Sequence, residues 1–179
     1  MTCSDRLELV PEDALTLDVA FSNKELALGV LTGAYGTAQS SSVLNGVPQL
    51  MGEWQADNVD FVGSFPSFNE IKFYSTLATN AEVNNIWGSS YGVIGSANLV
   101  IKYVPLVEDP DFTVEERDNA IAQAKFLRAL IHFQMANWWA QPIQLSGGTD
   151  LAVPLVLEPF DDEIQFPSRA SLNEVYAQV

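Results

Sequence analysis

The stretch GEWQADNVDFVGSFPSF, from Gly52 to Phe68, places Trp54 ahead of Asp57, Asn58 and Asp60, with Phe61, Phe65 and Phe68 close behind. Aromatic faces stack on the C–H surfaces of sugar rings, while amides and carboxylates take the hydroxyls. Trp54, then Asp57 and Asn58, are the candidate ligand contacts on this chemistry. The same residues also suit an ordinary loop whose tryptophan packs on a helix. Asp57 and Asp60 do not make a calcium loop, because the oxygen spacing and the glycine of an EF-hand are missing.

The remaining reactive residues are sparse. His132 is the single histidine and stands between Arg128 and Phe133 with no sequence-visible partner, which reads as a structural or surface residue. A nucleophilic triad needs a base of that kind with flanking partners, and none is visible. Paired carboxylates for glycoside hydrolysis could be chosen at will among 23 acidic residues, so that pattern carries no specificity. GVIGSAN lies inside a helical pattern and lacks the lysine of a phosphate loop. The single cysteine, Cys3, excludes an intrachain disulfide, and with His132 it falls short of a zinc site. No catalytic residue, metal or cofactor is assigned.

The 179 residues suffice for one domain with a sizeable core, or for part of a larger protein. Eight basic residues against 23 acidic ones leave a formal charge of −15. Such a field repels phosphate backbones and disfavours a basic docking face on an anionic leaflet, so nucleic acid is excluded as a partner. No apolar run reaches the roughly 18 to 20 residues that span a bilayer. The start Met1-Thr2-Cys3 reads as an expression start placed just ahead of a mature terminus.

The elements that must position these residues are mainly helical. A Ser or Thr followed three residues later by Glu is a capping box, and it recurs at Ser22–Glu25, Ser67–Glu70, Thr79–Glu82, Thr113–Glu116 and Ser171–Glu174. Leu26, Val30, Leu31 and Ala34 form one stripe to about Tyr35. Val83, Ile86, Trp87, Val93, Ile94, Ala97, Val100 and Ile101 lie close to one face of a second helix. Its Gly88, Gly92 and Gly95 are expected to let a neighbouring helix approach closely. Pro105 stops it. A third helix carries Ala120, Ala124, Leu127, Ile131, Met135 and Trp138 at helical spacing, and Trp138 is expected to anchor its end, with Trp139 off the stripe.

The last two helices predict an antiparallel hairpin of the kind stacked in tetratricopeptide arrays, although the repeat consensus is poorly matched. Leu44–Pro66 reads as irregular. Between Ala140 and Ala170, only LAVPLVLE offers a strand-like run. A connection that long and irregular is uncommon. The short helix expected after Ser171 ends the chain at Val179, so the chain is expected to be a piece of something longer.

AIAQAKFLRALIHFQMANWWAQPIQL, then LAVPLVLEP, then FPSRASLNEVYAQV, resembles the N-terminal part of SusD/RagB-type proteins. IWGSSYGVIGSANLVI resembles that family's W-x-x-x-Y-x-x-I-x-x-A-N helix, and CSDRLELVPED its mature start. The resemblance covers nearly the whole chain in the family's order. Two departures are the length, which stops in the first third of a usual member, and the absence of the glycine often found just before the V-P-L run.

The resemblance implies a mainly α fold, with tetratricopeptide-like helix pairs and long irregular loops. Residues 1–21 would be an anchor segment and linker, and residues 22–179 the SusD-like N-terminal helical domain. It implies a non-catalytic cell-surface lipoprotein that binds glycan, or another polymeric nutrient, and delivers it to a partner SusC-like TonB-dependent transporter. A loop in the region of Trp54, Asp57 and Asn58 would contribute ligand contacts. Cys3 matches the lipid-anchoring cysteine, with Asp5 and Glu8 close behind, and its acyl chains would be the protein's only membrane contact at the outer membrane. Preceded by Met-Thr, the chain as it stands is expected to be soluble and unlipidated. The alternative from another class is a helical protein-interaction module that offers a concave surface.

Overall fold

A computed structural model describes residues 16–160 and 165–179. Cys3, Asp5 and Glu8 lie outside the described residues. The elements are α1 (Leu17–Ala20), α2 (Lys24–Ala38), α3 (Val47–Gln55), α4 (Pro66–Lys72), α5 (Ala81–Tyr103), a 3₁₀ turn (Val104–Leu106), α6 (Val114–Trp139), α7 (Ile143–Ser146), β1 (Leu151–Pro154), β2 (Arg169–Ser171) and α8 (Leu172–Gln178). The architecture is mainly α, with one two-stranded ribbon among the described residues. α1 falls inside the 1–21 stretch expected to be linker.

Two of the five predicted capping boxes form as read. Thr113 and Ser171 each accept from the amide of the glutamate three residues on, and that glutamate accepts from the cap's own amide. The other three starts are capped differently. Asn23, not Ser22, caps α2 by accepting from the Leu26 amide at 3.0 Å, while Ser22 donates back to the Val19 carbonyl. Pro66 opens α4 with no side-chain cap, since proline has no N–H to satisfy at the first turn. Asn80 caps α5 by accepting from Glu82 and Val83, and its Nδ2 donates to the Ser67 carbonyl and to Glu70. A buried asparagine can do both jobs because its side chain carries an acceptor and two donors. Glu70, expected to pair with Ser67, serves Asn80 instead.

α5 sits between α2 and α6 and makes the most extensive contacts in the fold with each. Phe21 stacks on Tyr103 and Lys24 pairs with Glu116 at one end, while Gln134 reaches the Val43 carbonyl towards the other. α2 therefore runs antiparallel to α5 and parallel to α6. Ala27, Ala34 and Ala38 of α2, Val93, Ile94, Ala97 and Val100 of α5, and Ala120, Ala124, Leu127 and Ile131 of α6 are fully or almost fully buried. Each buried leucine or isoleucine contributes about 1.5–3 kcal/mol.

The close approach falls to these alanines, not to the glycines expected to supply it. A Cβ added at Gly88, Gly92 or Gly95 would meet nothing within 4 Å. Arg117 then fixes the α5–α6 connection by donating to the carbonyls of Val104, Val107, Asp109 and Phe112.

Two further expectations change. The stretch read as irregular, Leu44–Pro66, contains α3, with Pro48 in its first turn. The tail contains β2 as well as β1. They pair antiparallel with Leu151 opposite Ser171, and Arg169 donates to the carbonyls of Leu151, Ala152 and Trp139. That side chain ties the ribbon to the end of α6.

Candidate functional site: a cleft at one end of the bundle

α5 begins and α6 ends at the same end of the bundle, where the indoles of Trp87 and Trp139 meet edge to face at 5.1 Å. The α3–α4 hairpin also lies at this end, its Met51, Gln55 and Ile71 beside Val83 of α5 and Trp138 of α6.

Further along α5 and α6, the Pro154–Glu158 segment crosses the middle of both long helices and is held by their side chains. Tyr91 donates to the Pro154 carbonyl at 2.8 Å. Asn98 donates to the carbonyls of Val156 and Glu158 at 3.1 and 3.2 Å, and accepts from Arg128 at 2.8 Å. Arg128 also donates to the Leu157 carbonyl at 2.9 Å. The His132 imidazole accepts from the Val156 amide at Nε2, and its Nδ1 faces the Arg128 carbonyl at 2.9 Å. That pattern fixes the neutral tautomer with the proton on Nδ1.

Burial pulls the His132 pKa down, and the neighbouring Arg128 charge lowers it too. With both ring nitrogens engaged and the ring buried, His132 has no free position for proton transfer to a substrate. Burial pushes the Tyr91 hydroxyl well up, so it stays protonated as a donor. Among the described residues no group of three or more His, Cys, Asp or Glu side chains is placed to hold a metal ion.

At the Trp139 end of the bundle a cleft of about 350 Å³ opens between α3, the start of α5 and the end of α6. Met51, Gln55, Thr76, Asn137, Trp138 and Trp139 are among its lining residues. It mixes indole and aliphatic surface with amides and a hydroxyl, the combination that fixes a polar ligand in one orientation. Asn137 is already engaged, donating to the Phe133 carbonyl and accepting from Tyr176. Gln55 donates weakly, at 3.4 Å, to the Ile71 carbonyl, and Thr76 weakly, at 3.5 Å, to the Glu70 carbonyl. These two retain most of their capacity for an incoming hydroxyl.

The two tryptophans exchange the places expected of them. Trp138 is 36% exposed, whereas Trp139 packs against the core and on Trp87. The α6 stripe drifts round the helix, so its last contact with α5 falls one residue later than simple spacing gives.

The sequence-predicted contacts lie on the α3–α4 hairpin that forms one wall of the cleft. Trp54 is 6% exposed and sits 5.2 Å from Phe61 and 5.0 Å from Phe68, centroid to centroid, in an aromatic cluster under the hairpin. Its neighbour Gln55, not Trp54, faces the cleft. Asp57 takes a left-handed conformation, φ 58°, and the Asn58 amide donates to the Glu53 carbonyl, which together close α3 as a Schellman motif. Both side chains are exposed at the hairpin tip, where Asn58 donates to Glu53 at 2.9 Å. Asp60 pairs with Lys72. Gln55, Thr76 and Trp138, which line the cleft, are not among the contacts expected from the sequence. The Trp138-Trp139 doublet was the available signal.

A family model described as starch-binding, associating with outer membrane, matches residues 7–179. No curated protein matches the chain. A SusD superfamily protein from Bacteroides thetaiotaomicron VPI-5482 has a similar structure, with a TM-score of 0.73 and 23% identity over 92% of this chain. A protein from Bacteroides vulgatus ATCC 8482 described as sugar binding gives 0.72 and 24% over 86%. These likenesses show the fold. The chain spans 35% and 34% of their respective lengths. Among the described residues no helix is long and apolar enough to cross a membrane. With the match running from residue 7 to the last residue of the chain, this is a member of the SusD-like family.

Proposed function

We propose that the chain is the part of a cell-surface glycan-binding protein that holds a sugar in the cleft between α3 and α6. The observation that carries this reading is the exposed Trp138 indole beside the side chains of Gln55 and Thr76, in a family described as starch-binding. Trp138 would stack on a pyranose face, with Gln55 and Thr76 taking hydroxyls. Trp54 supports the reading from beneath, because its packing fixes the hairpin that carries Gln55. Asp57 and Asn58 are polar groups open to a longer ligand at the hairpin tip.

The role is capture without bond chemistry. As part of the longer protein, the domain would pass its cargo to a SusC-like TonB-dependent transporter at the outer membrane, tethered through lipidated Cys3.

Affinity electrophoresis of the chain in gels containing starch, xylan or dextran tests the site. Retardation by at least one glycan that is lost in Trp138→Ala is the expected result. Retardation unchanged by that substitution moves the site elsewhere, and no retardation by any glycan sinks the reading.

A further inference from the structure

A second cavity, of about 330 Å³, adjoins the cleft on the far side of the Trp87–Trp139 pair. Among the described residues its walls are Trp87, Tyr91, Pro154, Val156, Phe160 and Phe166, and Gln165 is the one amide side chain lining it. Its chemistry differs from that of the cleft. The Tyr91 hydroxyl is already donated to the Pro154 carbonyl, so the ring offers carbon to a ligand. Among the described lining residues only Gln165 offers a side-chain amide to a sugar hydroxyl, so little there would orient a sugar. A flat apolar group needs no such partner, and four aromatic rings supply the offset and edge-on contacts that it favours.

One wall of the cavity is held in place. Pro154 and Val156 form part of its wall and belong to the segment clamped by Tyr91, Asn98 and His132. Phe160 and Phe166, 48% and 91% exposed, stand at its rim. Cavity and cleft share a wall, because Trp87 lines one, Trp139 lines the other, and the two rings touch.

We propose that this cavity is a subsite for an aryl substituent carried by the glycan held in the cleft. The proposal rests on the glycan reading and narrows it: the preferred ligand is an oligosaccharide bearing an aromatic ester or ether close to the sugar on Trp138.

Calorimetric titration of the full 179-residue chain tests it with matched pairs of free and 4-nitrophenyl oligosaccharides of the maltose and xylose series, and with 4-nitrophenol alone. The nitrophenyl member of the bound pair is expected to bind about tenfold tighter. Phe160→Ala/Phe166→Ala, at two exposed positions, should reduce that preference below about twofold and leave the free sugar's affinity unchanged. Equal affinity within a pair overturns the aryl subsite and leaves the glycan reading standing. If no oligosaccharide binds, free or substituted, the glycan reading fails instead. In that case 4-nitrophenol uptake abolished by the double substitution still supports an aryl cavity, and no uptake overturns it.

Discussion

Arg128 on α6 donates to the Asn98 side chain on α5 at 2.8 Å, and each of the two also binds carbonyls of the Val156–Glu158 segment. Two helices and the segment that crosses them are thereby joined through one buried amide. Burial lowers the Arg128 pKa, while the Glu158 charge opposes that shift. Removing Asn98 leaves the buried Val156 carbonyl without its donor and takes one of two acceptors from the half-buried Arg128 guanidinium, which keeps the Leu157 carbonyl.

Asn98→Leu should therefore cost about 2–4 kcal/mol, more than an average core change, because the loss is of satisfaction and not of volume. Urea denaturation measures the loss. Amide exchange at Val156 should accelerate more than exchange in the middle of α5. Uniform acceleration would mean that the amide serves the bundle and not the segment.

His132 makes the same segment sensitive to acid. Its folded pKa lies below the ordinary 6.5, so the folded protein holds the neutral ring while the unfolded chain takes up a proton. Stability from this site is present above pH 6.5 and falls as the pH drops from 6.5 through the folded value, with a slope of at most about 1.4 kcal/mol per pH unit. Protonation would also set an N–H against the Val156 amide. Glu116, lowered from 4.5 to about 2 chiefly by Lys24, begins to lose its contribution only as the pH falls through about 4.5, below the range of melts between pH 7 and 5. Thermal melts between pH 7 and 5 should show the slope in the native chain and a flatter profile in His132→Gln.

Much of the fold was legible because α5 and α6 repeat apolar residues at helical spacing, and because Thr113 and Ser171 are followed by the glutamates that complete their caps. α3 was not, since Gly46, Pro48 and Gly52 read as loop residues. In the structure Gly46 has φ 115° ahead of the helix, Pro48 occupies the first turn, and Gly52 faces open space. β2 is only three residues long, and its pairing with β1 is set by Arg169 and the ribbon's contacts with α6, which no local pattern encodes. The site was visible as chemistry but not as place. Tryptophans and amides could be picked out, yet which face met solvent depended on contacts such as Trp87 with Trp139, 52 positions apart in the chain.

The exposed glycines of α5 predict a gain. Gly88 and Gly92 are exposed helical positions whose added Cβ meets nothing within 4 Å. Alanine there should stabilise the chain by about 0.5–1 kcal/mol at each position by lowering the freedom of the unfolded state. Gly148 is the contrasting case. Its φ is +80°, and a Cβ would strike the Asn173 side chain, which caps the same turn by donating to the Gly147 carbonyl. Gly148→Ala should lose at least about 1 kcal/mol. Melting temperatures of the three variants should move in opposite directions, and a fall in Gly88→Ala or Gly92→Ala would show that those faces are covered.

Trp54 and Trp138 separate the scaffold from the surface. Trp54 is buried between Phe61 and Phe68, so Trp54→Ala empties an aromatic cluster and should cost about 3–5 kcal/mol. The loss would fall on the α3–α4 hairpin, because Trp54, Phe61 and Phe68 all belong to it. Trp138 is 36% exposed at the cleft and touches Trp139, and truncating it should cost about 1–2 kcal/mol, less than the loss at Trp54. Chemical denaturation of both variants, run beside glycan affinity gels, distinguishes the roles. Trp54→Ala should weaken retention only in proportion to the hairpin unfolded, and cooling or an osmolyte that restores the fold should restore retention. Trp138→Ala should lose retention while fully folded. A Trp54→Ala protein of native stability that no longer binds would make Trp54 a direct contact and transfer the site to the hairpin itself.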